Sequence, residues 1–73
     1  MKLSDLKMGE SCRVVSVDGD DSIARRLMEM GVIPGTLIRV VKSAPLGDPI
    51  EIEVRGYHLA IRKTAATSIE VVQ

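Results

Sequence analysis

The sequence contains almost no aromatic residues: Tyr57 is the only one, and phenylalanine and tryptophan are absent. A hydrophobic core must therefore be filled by valine, isoleucine, leucine, methionine and alanine. The branched side chains in this set favour a pleated sheet, so the composition favours a mainly β protein. Its 73 residues predict a single domain, residues 1–73, and a chain of this size buries only about 60% of the surface that its unfolded form exposes.

Disulfides and an excess of one charge are also absent. Cys12 is the only cysteine, which excludes a disulfide within the chain and is consistent with a reducing, cytoplasmic location. Ten basic residues balance ten acidic ones. Because binding to nucleic-acid phosphates is favoured by a basic excess, we expect no nucleic-acid partner.

Long hydrophobic runs are missing as well. No segment approaches the roughly 20 apolar residues of a membrane span. The first twelve residues, MKLSDLKMGESC, lack the apolar core of a signal peptide. We therefore expect a soluble protein with no direct membrane insertion, whose association with a membrane would depend on a partner.

Alternating apolar residues predict five β-strands, over residues 11–17, 36–42, 50–55, 57–62 and 68–72. The third and fourth strands form the clearest hairpin, because Gly56 opens a tight turn between them. The residues predicted to point inwards from the last three strands are Ile50, Ile52, Val54, Tyr57, Leu59, Ile61, Ile69 and Val71. Val15 and Val17 on one face of the first strand, with Cys12 and Val14 on the other, make both of its faces substantially apolar.

One helix is predicted after the first strand. Asp20 or Asp21 can cap its start, and Gly31 ends it. Its apolar stripe contains Ile23, Leu27 and Met30, widened by Ala24 and Met28. A short helical turn is predicted over residues 64–67. Five strands with one short inserted helix predict a mainly β fold, a small SH3-like barrel whose closure would remove open sheet edges.

Metal-binding residues are few. Cys12 is interpreted as a small buried hydrophobic residue, and His58 as a surface histidine, because a structural zinc site needs about four ligands. An alternative is that His58 binds a metal together with Glu51 or Glu53.

The acidic cluster of Asp18, Asp20 and Asp21 is interpreted as a turn and helix cap. It lacks the glycine and the final glutamate of a calcium-binding loop. We predict no cofactor, and weak binding of ferrous iron or another divalent metal stays open.

No arrangement of residues suggests catalysis. One histidine cannot by itself form a catalytic triad, and the P-loop pattern for nucleotide phosphates is absent. We therefore expect that the protein is not an enzyme.

The segment Ala44–Pro49 is the strongest candidate for binding a partner. Leu46 has no apolar neighbour at strand or helix spacing, so the segment is either a connector or an exposed apolar tip made rigid by proline. Leu37 and Val41 are either an extension of the same surface or part of the core. The predicted partner-binding residues are Leu37, Val41, Ala44, Pro45, Leu46, Gly47 and Met28. Self-association is left open.

Four segments together resemble the FeoA family, small cytoplasmic proteins of the bacterial ferrous-iron uptake system. They are Leu3–Gly9, Arg26–Gly35, Ala44–Ile50 and Arg55–Arg62. The resemblance covers nearly the whole chain. It implies an SH3-like barrel that acts with FeoB, a membrane transporter with a cytoplasmic GTP-binding domain, and it implies no catalytic residues.

Two functional hypotheses follow. The first is a non-enzymatic adaptor or regulator that binds the cytoplasmic part of the FeoB-type transporter. The alternative is a metal-responsive regulatory module, because a related barrel forms the C-terminal domain of iron-dependent repressors and a fold does not by itself determine function.

Overall fold

The computed structural model describes residues 1–19 and 21–73, without the side chain of Asp21. The predicted capping role of Asp20 and Asp21 therefore lies outside the described residues. The described elements follow the order β1, α1, β2, β3, β4, α2, β5, after a short 3-10 turn at Leu3–Asp5. Their bounds are β1 Ser11–Val17, α1 Asp21–Glu29, β2 Leu37–Ser43, β3 Ile50–Val54, β4 Tyr57–Ile61, α2 Lys63–Ala66 and β5 Ile69–Val72.

The strands form one antiparallel sheet in the order β4-β3-β2-β1-β5. The predicted five strands and single inserted helix are confirmed, with most boundaries within one residue of the prediction. The 3-10 turn was not predicted. The hydrogen-bonded ladder does not close on itself in the described residues, because β5 pairs with β1 and leaves β4 and β5 as the two edges.

The core lies on the inward face of the sheet. Ile38 and Val40 of β2 pair with Val54 and Ile52 of β3, and all four side chains are buried. Leu3 from the 3-10 turn is fully buried against the same cluster. The inward residues predicted for β3 and β5 are confirmed.

The apolar stripe predicted for α1 was too wide. Ala24 and Leu27 are buried, whereas Ile23 is 43% and Met28 44% exposed. A helix of nine residues contacts the core along a narrow line, so the flanks of its apolar stripe remain in solvent. On β1, Cys12 and Val14 are buried and Val17 packs against the core while half-buried, whereas Val15 is exposed. The second apolar face predicted for this strand therefore contributes to the core only at Val17.

Gly31 ends α1 as predicted, with a φ of +98° that favours glycine. A Cβ at this position would lie 2.8 Å from Cδ of Arg55. The Tyr57 hydroxyl donates a hydrogen bond to the carbonyl of Met30 at the same helix end. Tyr57 is therefore partly exposed at the rim, although it was predicted to point inwards.

The outer edge of β5 is covered by the first two residues. The amide of Val71 donates to the carbonyl of Met1 at 2.8 Å, and Lys2 forms a β-bridge with Glu70. The Glu70 carboxylate lies 2.6 Å from the amine of Met1 and 3.0 Å from Nζ of Lys2. Hydrogen bonds from these two amines lower the pKa of Glu70, and the hydrogen bond to the Glu70 carboxylate raises the pKa of Lys2.

The outer edge of β4 is different. A two-residue turn joins β3 to β4 and makes Val54 and Tyr57 a hydrogen-bonded pair, so the peptide groups of His58 and Ala60 face away from β3. Within residues 1–19 and 21–73, no backbone group pairs with this edge. β4 is thus the open edge of the described sheet.

Candidate protein-binding site

The loop that follows β2 is held by its own backbone hydrogen bonds. The amide of Ala44 donates to the carbonyl of Pro49 at 3.0 Å, and that of Gly47 donates to the carbonyl of Ala44 at 2.7 Å. Pro45 and Leu46 occupy the centre of the resulting turn, where proline fixes the backbone. Asp48 Oδ1 accepts a hydrogen bond of 2.9 Å from the amide of Lys63 and so joins the loop to α2. The peptide bond between Asp48 and Pro49 is cis.

Leu46 stands at the tip of this loop and is 94% exposed. Beside the loop, Met8 is 65% exposed, on a turn anchored to β2 by a 2.7 Å hydrogen bond from the amide of Gly9 to the carbonyl of Val40. A cleft of about 310 Å³ lies between this turn and the loop, and Met8 and Gly47 both line it. We call Leu46, Met8 and this cleft the Leu46 surface.

The other predicted binding residues are dispersed. Pro45 and Gly47 belong to the loop, with Ala44 half-buried at its base. Leu37 is 53% exposed but stands at the start of β2, roughly 20 Å along the strand from the loop. Val41 is half-buried and Met28 lies on α1, so the structure does not gather all the predicted residues into one surface.

Met8 was missed from the sequence. Its position beside the loop depends on the contact of the turn before β1 with β2, which the sequence does not show. The one signal in the sequence was a large apolar side chain directly before a turn glycine.

His58 lies on the outer face of the sheet, next to the two glutamates that the alternative hypothesis named. Its Nδ1 is 2.9 Å from Glu51 Oε2, and its Nε2 is 4.0 Å from Glu53 Oε2. Both glutamates have other partners: Glu51 lies 3.8 Å from Nζ of Lys42, and Glu53 accepts hydrogen bonds from Arg39. Among the described residues, no three histidine, cysteine or acidic side chains are arranged to hold a metal ion.

Cys12 is buried in the core as predicted. Burial raises the pKa of its thiol to about 11, because the charged thiolate loses its hydration. The side chain therefore remains a neutral thiol at physiological pH. This protonation state fits a packing role.

No helix in the described part of the chain is long and apolar enough to span a bilayer.

The comparisons with known proteins agree with one another. The FeoA domain family matches residues 1–73. A curated relative, a fusion protein of Fe(2+) transport protein A and Fe(2+) transporter FeoB from Porphyromonas gingivalis, is 38% identical over 71 residues. That match covers 97% of this chain but only 8% of the fusion protein.

Solved structures show the same fold. The FeoA protein of Chlorobium tepidum is 43% identical with a TM-score of 0.94, over 99% of this chain and 69% of that one. The zinc complex of Stenotrophomonas maltophilia FeoA, described as an SH3 domain protein, is 36% identical with a TM-score of 0.85, over 97% and 88%. The predicted SH3-like fold is thereby confirmed.

A manganese-dependent transcriptional repressor also shares the fold, with a TM-score of 0.90 over all of this chain and 41% of the repressor. At 19% identity, this likeness concerns the fold alone. The family match over the whole chain is more specific, and it shows that the chain belongs to the FeoA family.

Proposed function

We propose that this chain is a non-enzymatic cytoplasmic accessory protein of ferrous-iron uptake that binds the cytoplasmic part of a FeoB-type GTP-binding transporter. The observation that carries the proposal is the Porphyromonas fusion protein, in which a 38% identical sequence shares one polypeptide with FeoB. Covalent fusion keeps two domains at a high local concentration, which is useful when the domains act on each other.

The Leu46 surface is the proposed contact. The loop is held by backbone hydrogen bonds before any partner arrives, so little conformational entropy is lost when it binds. Burial of a fully exposed leucine contributes about 1.5–3 kcal/mol, and Met8 adds apolar area beside it. Interface energy is concentrated in a few side chains that lose all contact with water on binding, and the exposed Leu46 can do so if a pocket of the partner encloses it.

The test is the affinity of Leu46→Glu for the cytoplasmic part of the FeoB-type transporter from the same organism. We expect the Kd to rise about tenfold or more, because each 1.4 kcal/mol corresponds to a factor of ten. Val15→Glu is the matched control, since Val15 is also exposed but lies at the opposite end of the β1–β2 pair. Circular dichroism verifies that both variants are folded. Equal affinities for wild type and Leu46→Glu would remove the loop from the interface.

The second candidate function is a metal-responsive module, favoured by the short contact between His58 and Glu51. An imidazole and a carboxylate are both ligands for divalent transition metals. Calorimetric titration with ferrous or zinc ions distinguishes the candidates. Micromolar one-site binding that disappears in His58→Ala supports the metal-responsive module. If the wild-type protein binds no metal in this range, the adaptor function is supported instead.

A further inference from the structure

A second apolar surface lies beside β4, away from the Leu46 loop in its lining residues. It is a cleft of about 300 Å³ between α1 on one side and β4 with α2 on the other. Its apolar lining includes Ile23, Leu27 and Met30 from the helix side and Ile61 and Ala65 from the opposite side. We call it the α1–β4 groove.

The open sheet edge reaches this groove. Ala60, one of the two β4 residues whose peptide groups face away from β3, also lines the cleft. An exposed strand edge of this kind presents unpaired N–H and C=O groups that can pair with an added strand. The groove therefore offers backbone hydrogen bonds and apolar contacts together.

The groove also carries uncompensated positive charge. Arg26 from α1 and Arg62 after β4 both line it, and neither guanidinium forms an ion pair or hydrogen bond with the described residues. The described lining contains no carboxylate. Glu51 lies opposite Ala60 in the sheet, but its carboxylate is paired with His58 and Lys42.

We propose that the α1–β4 groove binds an extended, acidic segment of a partner protein, which adds to the edge of β4 as a sixth strand. Alternate apolar side chains of the segment contact the floor of the groove, while a carboxylate pairs with Arg62 and Arg26. This goes beyond the proposed function, because it concerns a different surface and its test does not involve the transporter.

Charge complementarity selects this occupant over a second copy of the chain. A second copy paired edge to edge would supply only the same groove lining, which holds two arginines and no carboxylate among the described residues, and so would not neutralise them. An acidic segment supplies the missing charge, and arginine is well suited to bidentate contact with carboxylates.

The probe is a capped peptide of alternating valine and threonine with a glutamate at each end, so that either strand direction brings a carboxylate to Arg62. It is titrated into the full chain and followed by the amide signals of the protein in NMR spectra. We expect saturable shifts at His58, Ala60 and α1, and small shifts in the Leu46 loop.

Two control peptides separate the contributions. Replacing both glutamates by lysine should weaken binding at least fivefold. Methylating the backbone nitrogens that face β4 should abolish binding while the side chains stay the same, because it removes the strand-pairing donors.

Protein variants provide matched controls. Arg26→Ala and Arg62→Ala should each raise the Kd threefold or more, whereas Arg25→Ala, an exposed neighbour outside the groove lining, should leave it unchanged. All three changes are on the surface and should preserve the fold.

Several results would overturn the proposal. They are an absence of shifts at millimolar peptide, equal affinity for the lysine peptide, and shifts confined to residues outside the groove. In the protein alone, the signals of His58 and Ala60 could also shift as the protein concentration rises. If the peptide does not suppress these shifts, the β4 edge binds a second copy of the chain instead.

Discussion

The two edges of the sheet differ in whether their backbone groups are covered. At β5, Met1 and Lys2 cover the backbone, and Glu70 binds both of their amines. At β4, the peptide groups of His58 and Ala60 meet no backbone partner in the described residues, and a groove with two unpaired arginines lies beside them. The covered β5 edge cannot accept another strand, whereas the β4 edge offers the free peptide groups that the proposed strand addition requires.

The largest effect is expected when the N-terminal segment that covers the β5 edge is detached, because both edges of the sheet would then be open. Leu3 is fully buried and anchors that segment in the core. Leu3→Ala should lower the free energy of unfolding by about 2–5 kcal/mol, because it leaves a cavity under the 3-10 turn. Urea denaturation measures the loss, and hydrogen exchange should accelerate at Val71.

Leu37→Ala is the control for this substitution, since Leu37 is half-exposed on a central strand. Its effect should lie within about 0.5 kcal/mol. Equal losses in the two variants would contradict an anchoring role for Leu3.

A smaller change tests the side of the molecule that carries the open edge. Tyr57→Phe removes only the hydroxyl that donates to the carbonyl of Met30, and it retains the ring. We expect a loss of about 0.5–1.5 kcal/mol, the usual range for one hydrogen bond. Thermal unfolding measures this loss of stability. Faster amide hydrogen exchange at the end of α1 would show that the loss arises there. A variant as stable as the wild type would show that this bond does not fix α1 against β4.

The smallest effect concerns the charges on the β5 edge. The amines of Met1 and Lys2 lower the pKa of Glu70 in the folded state, so its carboxylate stabilises the protein above the ordinary carboxyl pKa. This contribution is lost as the pH falls through the lowered pKa. Glu70→Gln should therefore melt slightly below the wild type at pH 7.

The two melting temperatures should converge as the pH falls through the lowered pKa of Glu70. Added salt should reduce the difference at pH 7, because these charges are exposed. A difference in melting temperature that grows on acidification would contradict the expected direction. It would show that the ion pairs of Glu70 are not its cause.

The local part of the fold was predictable from the sequence. Ile50, Ile52 and Val54 alternate up to Gly56, and this signal is complete within one hairpin. Gly31 likewise ends α1 because a left-handed backbone there favours glycine. Such features depend on neighbours in sequence.

The non-local part was not predictable. No periodicity shows that β5 pairs with β1, or which flank of α1 faces the sheet. The exposed tip at Leu46 could be anticipated because that residue has no partner at regular spacing. A basic patch of Arg25, Arg26, Arg39, Lys42 and Arg62 was considered from the sequence and interpreted as solvated charge. The groove lined by Arg26 and Arg62 could not be predicted, because the two residues lie on separate elements whose distance is set by the fold.

The pairing of Val14 with Val71 has a kinetic consequence. It joins strands from opposite ends of the sequence, so an entropy of loop closure opposes it until most of the chain is ordered. The β2–β3–β4 meander requires only short connections and can form first. Refolding should therefore proceed from the open edge towards the covered one, with β5 the last strand to gain protection.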